Sequence, residues 1–390
     1  MPLRPHQTDA LDAMANHTKG QIIVPTGGGK TKCMIQDAKR LFNTEEVSTI
    51  VVVAPRILLA EQLSSEFLEE IDDVSVMHVH SGETPHFSST KAIEIYWWDE
   101  RTVGNKIIFT TYHSLHRIRN SNIAVDTIYF DEAHNSVNRN FFPATKFYGT
   151  RGASRCFFFT ATPKHSLTPF KAGMNNTEVY GNVLINVPAP KLVKEGYILP
   201  PKVEVYKSRL LRKDEIYSEV ESEQMIGAID KLEVDKVLIC AKSTKQIIGL
   251  LSQSDFCYEL NVRGYSWMTI TSRTGAIING RKVGRDEFFD TLNAWGKDDE
   301  KKFVVLHHSI LAEGINVKGL EAALFMRNMD YITISQTIGR VIRLGNANKT
   351  HGKVCVPVYN NVGISTARRV EAVVDTVFNQ GQPAISVITR

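Results

Sequence analysis

The sequence predicts an α/β protein made of two parallel-sheet lobes in tandem. Three observations carry that expectation. Apolar runs too continuous for half-exposed strands recur along the 390 residues, and fully buried parallel strands read this way. Stretches with helical spacing separate them, which is the rhythm of strands joined by crossover helices. Four prolines, Pro188, Pro190, Pro200 and Pro201, crowd into one segment and divide the rhythm, because proline interrupts helices and central strands alike.

In the first half the expected strands are Gln21–Pro25, Ile50–Ala54, Val74–Val79, Ile107–Thr111, Thr127–Phe130 and Cys156–Thr160. Helical stretches at Lys30–Phe42 and Leu58–Glu70 lie between them. In the second half, strands are expected at Val237–Ala241, Trp267–Thr271, Phe303–His307, Ala322–Met326 and Val354–Tyr359. Helices are expected at Gln246–Gln253, Arg285–Trp295 and Ser335–Val341. Gly275–Gly284, rich in Gly, Asn and basic residues, reads as a loop. The chain from Thr366 reads as helical to about Phe378. The boundary falls near Val187–Lys202, giving lobes at 1–190 and 203–390 with a linker at 191–202. Each half is long enough to bury its own core.

Composition narrows the function classes. Hydrophobic residues make up 43% and charged residues 23%, as in folded globular chains. No apolar run reaches the length of a transmembrane helix, so a membrane partner is not expected. The stretch Met1–Ala10 is polar, with Pro2 and Pro5, unlike a secretory signal. The net charge of +4 fits a basic groove for nucleic acid or a merely solvated surface. Five scattered cysteines, Cys33, Cys156, Cys240, Cys257 and Cys355, form no C-x-x-C pair. That pattern suits neither a disulfide framework nor a zinc site, and a reducing, cytoplasmic home is expected.

Pro25-Thr26-Gly27-Gly28-Gly29-Lys30-Thr31 lies between an expected strand and an expected helix. Glycines let backbone N–H groups turn around phosphate oxygens with no Cβ in the way, and the helix N-terminus favours negative charge. Lys30 can reach the β and γ phosphates, and the Thr31 hydroxyl can ligate Mg²⁺. Val24 stands where the strict phosphate-loop pattern has glycine, while the shorter pattern is met in full. Asp131-Glu132-Ala133-His134 closes the apolar run Thr127–Phe130. Two acids at the end of such a run are costly unless a cation sits there. Asp131 suits Mg²⁺, and Glu132 suits activation of the attacking water. In Gln336-Thr337-Ile338-Gly339-Arg340-Val341-Ile342-Arg343, the two arginines lie three apart on one expected helix face. They fit a clamp on a transferring phosphoryl group or a solvated basic face.

Taken in order, these segments resemble those of superfamily 2 helicases, whose lobes are RecA-like. Leu3-Arg4-Pro5-His6-Gln7 resembles the adenine-reading Q motif, with Gln7 as reader and His6 where the family usually has an aromatic. Thr26 to Thr31 is motif I. Ala54-Pro55-Arg56 with Leu59 and Gln62 resembles motif Ia, and Thr110-Thr111-Tyr112 resembles motif Ib. Asp131–His134 is motif II, and Thr160-Ala161-Thr162-Pro163 is motif III. Ser243-Thr244 resembles motif IV, Leu311–Val317 motif V with Gly314 at the nucleotide, and Gln336–Arg343 motif VI. The style is similar to phage recombination helicases of the T-even type, to the transcription-repair helicase XPB and to type III restriction motor subunits. Glu195–Pro201 resembles the lobe-joining stretch of that group.

The resemblance implies that Arg56, Thr110, Thr111, Ser243, Thr244 and Arg273 touch nucleic-acid phosphates. Such contacts carry affinity without sequence preference. It also implies that Thr160, Thr162 and Gln336 couple hydrolysis to movement. The activity expected is a nucleic-acid-stimulated ATPase with Mg²⁺, a helicase or translocase acting on single-stranded or branched DNA in recombination or repair. An RNA helicase, or a motor subunit without autonomous unwinding, are the alternatives. Compactness and style suggest a virus or phage.

Other residues leave two readings each. Trp97-Trp98, within the run Ile93–Trp98, reads as core, or as a stack or wedge for bases. His78 and His80 alternate as strand residues do, and with His86 they fit no common metal spacing. His307-His308 precedes motif V. Arg281, Lys282 and Arg285 fit a DNA contact or a solvated turn.

Overall fold

The computed structural model describes all residues except 1, 45, 208, 213–214, 272, 309–318, 346–348 and 390. The chain divides into two compact units, Met1–Val187 with Ile385–Arg390, and Pro188–Ala384.

The first unit opens with α1 (Pro5–Asn16), whose leading proline needs no hydrogen-bond acceptor. Then follow β1 (Lys19–Ile23), α2 (Lys30–Phe42), β2 (Thr49–Ala54), α3 (Ile57–Leu68), β3 (Ser75–Val79), β4 (Phe87–Ser88), α4 (Ala92–Arg101), β5 (Lys106–Thr111), α5 (Leu115–Ser121) and β6 (Thr127–Phe130). The remainder is α6 (Phe142–Phe147), β7 (Arg155–Thr160), β8 (Lys164–Ser166), α7 (Thr177–Tyr180) and β9 (Val183–Asn186). Eight strands form a parallel sheet in the order β4-β3-β5-β2-β6-β7-β1-β9. Every residue of β2 and β6 is buried, which is why these runs are continuously apolar. Phe130 stacks on Phe158 across neighbouring strands, centroids 4.8 Å apart; each buried phenyl contributes about 1.5–3 kcal/mol.

The second unit holds α8 (Ala189–Lys194), β10 (Pro201–Tyr206), α9 (Tyr217–Leu232), β11 (Lys236–Cys240), α10 (Thr244–Ser252), α11 (Phe256–Val262) and β12 (Ser266–Thr271). It continues with β13 (Gly275–Ile278), β14 (Arg281–Val283), α12 (Arg285–Lys297), β15 (Phe303–His307), β16 (Ala322–Phe325), α13 (Tyr331–Val341), β17 (Gly352–Pro357) and α14 (Asn361–Val374). The sheet order is β10-β17-β16-β11-β15-β12-β13-β14. Its pairs are parallel except β12 with β13 and β13 with β14.

Several expectations change. Gly275–Gly284 is a hairpin, not a loop. Asn279 and Gly280 take φ of 46° and 82°, as a two-residue hairpin turn requires. Arg281 pairs with Glu287, and Arg285 lies over Phe289. Ile93–Trp98 lies in helix α4, which turns its two tryptophans differently. Trp97 is therefore no core residue: it is 48% exposed, with the Arg101 guanidinium 5.4 Å from its ring centroid. Trp98 packs partly on the core. Residues 191–202, read as a linker, carry most of α8 and the first residues of β10. The chain then returns to the first unit at its far end, where β18 (Ser386–Ile388) pairs with β8 just after Thr160–Pro163.

Buried polar groups tie each unit together. In the first, Asp37 of α2 accepts two bonds from Arg155 at 2.9 and 3.1 Å and one from the Tyr129 hydroxyl at 2.6 Å. A histidine relay lies near the sheet edge. The Gly82 N–H donates to His80 Nδ1 at 3.1 Å, so His80 Nε2 carries its proton toward His78 Nδ1 at 2.9 Å. His78 Nε2 then faces Ser64 Oγ at 3.1 Å. In the second unit, buried Glu221 accepts from Gln246 at 2.5 Å and from the Tyr359 hydroxyl at 2.8 Å. Cys240 Sγ meets His307 Nε2 at 3.3 Å. All five cysteines are reduced, and all but Cys257 are buried. No described helix is long and apolar enough to cross a membrane.

Candidate active site

Parallel strands present their carboxyl ends along one edge, where ligands of such sheets bind. In the first unit β7 lies between β1 and β6, so the segments after all three converge. The Val24 N–H bonds to Thr160 O at 3.0 Å, and the Asp131 N–H to Val53 O at 2.9 Å. These ladder-like bonds fix where the reactive side chains start.

The glycine loop follows β1. Gly27 and Gly29 hold φ of 85° and 86°, a conformation that a side chain disfavours. A Cβ on Gly29 would also stand 2.3 Å from Gln7 Nε2. The three glycine carbonyls are each engaged from α1 and its approach. Arg4 Nη1 donates to Gly27 O at 3.1 Å, His6 Nε2 to Gly28 O at 2.7 Å, and Gln7 Nε2 to Gly29 O at 3.2 Å. A trans peptide points its N–H opposite to its C=O. Holding the Gly28 and Gly29 carbonyls therefore aims the N–H groups of Gly29 and Lys30 away from this collar. Gln7 Oε1 accepts from the Arg4 N–H at 2.9 Å, so both ends of this amide are engaged within the collar. Thr26 is half-buried, and Thr31 stands in the first turn of α2.

Lys30 is buried; its Nζ lies 3.4 Å from Val24 O and 4.0 Å from Glu132 Oε1. Glu132 sits in the left-handed region at φ 45°, a strained geometry for a side-chain-bearing residue. Burial, and then the charge of Glu132, hold the Asp131 carboxyl well above the usual carboxylate range, against the opposing pull of Lys30. A buried acid raised in this way suits a divalent cation, which would favour its charged form. Asp131 O also accepts from the Tyr112 hydroxyl at 2.8 Å.

The hydroxyls of Thr160 and Thr162 engage His134 rather than the motif II carboxylates. His134 Nδ1 lies 3.1 Å from Thr160 Oγ1 and 3.3 Å from Thr162 Oγ1. The Asn135 amide nitrogen approaches His134 Nε2 at 3.3 Å and donates to Glu132 O at 3.0 Å. That orientation makes Nε2 an acceptor and places the ring proton on Nδ1. Nδ1 is also 3.6 Å from Glu132 Oε2. One imidazole thus touches both the acid and the two threonines.

Of the residues assigned to nucleic acid, Arg56 is exposed at the start of α3. Thr110 and Thr111 are buried, and the Thr110 hydroxyl donates to Val79 O at 2.9 Å. That hydroxyl is already spent inside the sheet. In the second unit, Ser243 caps α10, its Oγ accepting from the Gln246 N–H at 3.2 Å. Thr244 is the first residue of that helix, and Arg273 is exposed beyond β12. Gly314 and the rest of Leu311–Val317 lie outside the described residues.

Gln336 and Arg340 lie on α13, with Arg340 only 4% exposed. Arg343 is not on the helix, which ends at Val341. Instead Lys349 Nζ donates to Arg343 O at 2.8 Å and to Leu320 O at 2.7 Å, and burial lowers this lysine to about 8. Sequence reasoning passed over Lys349, and it placed Tyr112 and Arg4 in motif stretches without the bonds they make. No local pattern gives those bonds, because each joins a carbonyl that only folding brings near.

Residues 1–165 match the family described as "Type III restriction enzyme, res subunit". The whole chain is similar in structure to an ATP-dependent Type ISP restriction-modification enzyme, LlaBIII, bound to DNA. The TM-score is 0.74 and the identity 18%, covering 100% of this chain and 31% of that one. Both sheets have the RecA-like fold expected from the sequence. A nuclease-deletion mutant of the Type ISP enzyme LlaGI, in complex with a DNA substrate mimic, is similar at TM-score 0.68 and 18% identity. There the likeness covers 99% of this chain and 30% of the other. This chain therefore spans under a third of the length of either enzyme. No curated protein matches it in sequence. The family match covers less than half of this chain, and the structural likenesses, at 18% identity, show its fold. Of the three likenesses read from the sequence, the type III restriction motor is the one this match shares.

Proposed function

We propose that this chain is an ATP-driven motor that moves along DNA. The observation that carries the reading is the strand-end cluster of the first unit. Lys30 stands 4.0 Å from Glu132 beside a glycine loop whose carbonyls are held from outside. In this reading the loop amides and Lys30 bind the phosphates of ATP. Glu132 takes the proton of the attacking water. Thr31 and Asp131 would hold Mg²⁺, which supplies positive charge at the phosphates. Arg340 and Arg343 act as arginine fingers, stabilising charge that develops in the transition state. His134, with Thr160 and Thr162, passes the state of Glu132 to the end of β7. Arg56, Ser243, Thr244 and Arg273 take nucleic-acid phosphates, without sequence preference.

The similarity to larger restriction-modification enzymes supports a second reading of the same motor. It would translocate on duplex DNA as one module of a larger assembly, without separating strands. A substrate panel tests both. ATPase activity is measured with single-stranded, duplex, forked and four-way DNA and with RNA, beside fork unwinding and triplex displacement. Stimulation by DNA with fork unwinding supports a helicase. Triplex displacement alone supports the module. Stimulation by RNA only overturns the assignment to DNA.

A further inference from the structure

We infer that His6 is a positioning residue that holds the phosphate loop through its hydrogen bond, and that it does not stack on the nucleotide base. The inference rests on the phosphate-loop reading above and goes beyond it, since the sequence resemblance places His6 where that family usually has an aromatic. His6 is 1% exposed, and its Nε2 lies 2.7 Å from Gly28 O. A carbonyl only accepts, so Nε2 carries the proton and donates it. The bond spans 22 positions of sequence and joins the first turn of α1 to the middle glycine of the loop.

The neighbours make this one bond of a set. Arg4 and Gln7 hold the flanking carbonyls of Gly27 and Gly29. Together the three fix consecutive peptide planes, and so prearrange the amides of Gly29 and Lys30 before any phosphate arrives. An ordered loop loses less conformational entropy on binding than a mobile one. Glycines need such outside support, since they are the residues with the most freedom to lose. A phenyl ring at position 6 would fill the volume but take the His6 donor away from the buried Gly28 carbonyl, which is unfavourable. A glutamine would place an amide N–H close to where Nε2 stands.

The test uses a ligand with no base. Magnesium tripolyphosphate and a non-hydrolysable ATP analogue are titrated calorimetrically into the full chain, wild type and His6→Phe and His6→Gln variants. The collar role predicts that His6→Phe weakens both ligands by about tenfold, and to the same degree. His6→Gln then stays within about twofold of wild type. A stacking role predicts the reverse. His6→Phe would keep or tighten the ATP analogue, His6→Gln would weaken it, and neither would alter tripolyphosphate binding; that pattern overturns the inference. Should His6→Phe fail to fold, His6→Asn takes its place. Its amide is too short to reach Gly28 O, and tripolyphosphate binding unchanged in it also overturns the inference. The two levels separate cleanly. A wild-type chain that binds neither ligand refutes the phosphate-loop reading, whereas normal wild-type binding with an indifferent variant refutes only the role of His6.

Discussion

The two units share a parallel-sheet design but carry opposite chemistry at their strand ends. The first sets two acids where β6 finishes, begun from the Asp131 N–H bond to Val53 O, and a lysine at the start of the helix that follows the glycine loop. The second places its cations later, on a helix and just beyond it, with Arg340 buried in α13 and Arg343 held through its carbonyl by Lys349. Asp131 and Glu132 follow β6 directly, whereas Lys30 opens α2, Arg340 lies on α13 and Arg343 stands just past its end. The difference teaches that a strand end fixes the acids directly, while each cation depends on the helix that carries it.

The largest expected contrast is kinetic. Lys30→Ala and Arg340→Ala should each lower ATP turnover by on the order of 10³-fold. Lys30→Ala should also abolish binding of a non-hydrolysable analogue, while Arg340→Ala leaves that affinity within a few fold. Turnover and calorimetric binding measure the two. Equal loss of affinity in both variants would erase the proposed division between gripping and transition-state stabilisation.

Next comes stability. Asp37→Ala leaves the mostly buried Arg155 guanidinium without its carboxylate, and about 3–5 kcal/mol of first-unit stability should go with it. The buried acid of the second unit differs. Burial raises Glu221, and the side chains that hydrogen-bond to it, Gln246 and Tyr359, are neutral. Glu221→Gln should therefore cost only about 1 kcal/mol. Calorimetry that resolves two unfolding transitions would show each loss in its own unit. Equal losses would mean that the Asp37 network is no more charge-dependent than the other.

Acid should sharpen the comparison further. Burial, and then the charges of His80 and His86, lower His78 to about 3, and burial lowers His80 as well. Burial and Arg340 lower His307 to about 3. Unfolded histidine titrates near 6.5, so between these values the unfolded chain binds more protons than the folded one. The stability these residues contribute is present above about pH 6.5 and is lost as pH falls toward 3. Asp131 and Glu221, both raised, act in the opposite sense, one in each unit. The first unit, with two lowered histidines in its relay, should therefore weaken more steeply in acid than the second. Denaturant melts at pH 7 and pH 5 measure the slopes, and His78→Phe should flatten only that of the first unit.

The smallest effect concerns β18. Ending the chain after Ala384 removes the strand paired with β8 and the partly buried Ile388. About 1–2 kcal/mol of first-unit stability should be lost, with the transition of the second unit unmoved. A loss confined to the second unit would show that the returning strand belongs to the wrong half of the comparison.

The sequence by itself determined the α/β class, the central strands and the motif positions. Strands such as Thr127–Phe130 and Phe303–His307 were legible because burial on both faces demands unbroken apolar runs. The glycine loop and the acid pair after Phe130 led one to expect Lys30 beside Asp131 and Glu132, and folding brings Lys30 Nζ to 4.0 Å from Glu132. The hairpin at 275–283 was missed although Asn279-Gly280 announced it, since a composition rich in turn formers hid its short strands. Tertiary structure alone decided that the Thr110 hydroxyl points into the sheet, that Trp97 faces outward, that the final strand returns to the first unit, and that His6 grips a glycine carbonyl. Each depends on a partner 20 or more positions away, or on which face of an element meets the core. Local pattern specifies what a residue can do; only packing brings the partner that sets what it does.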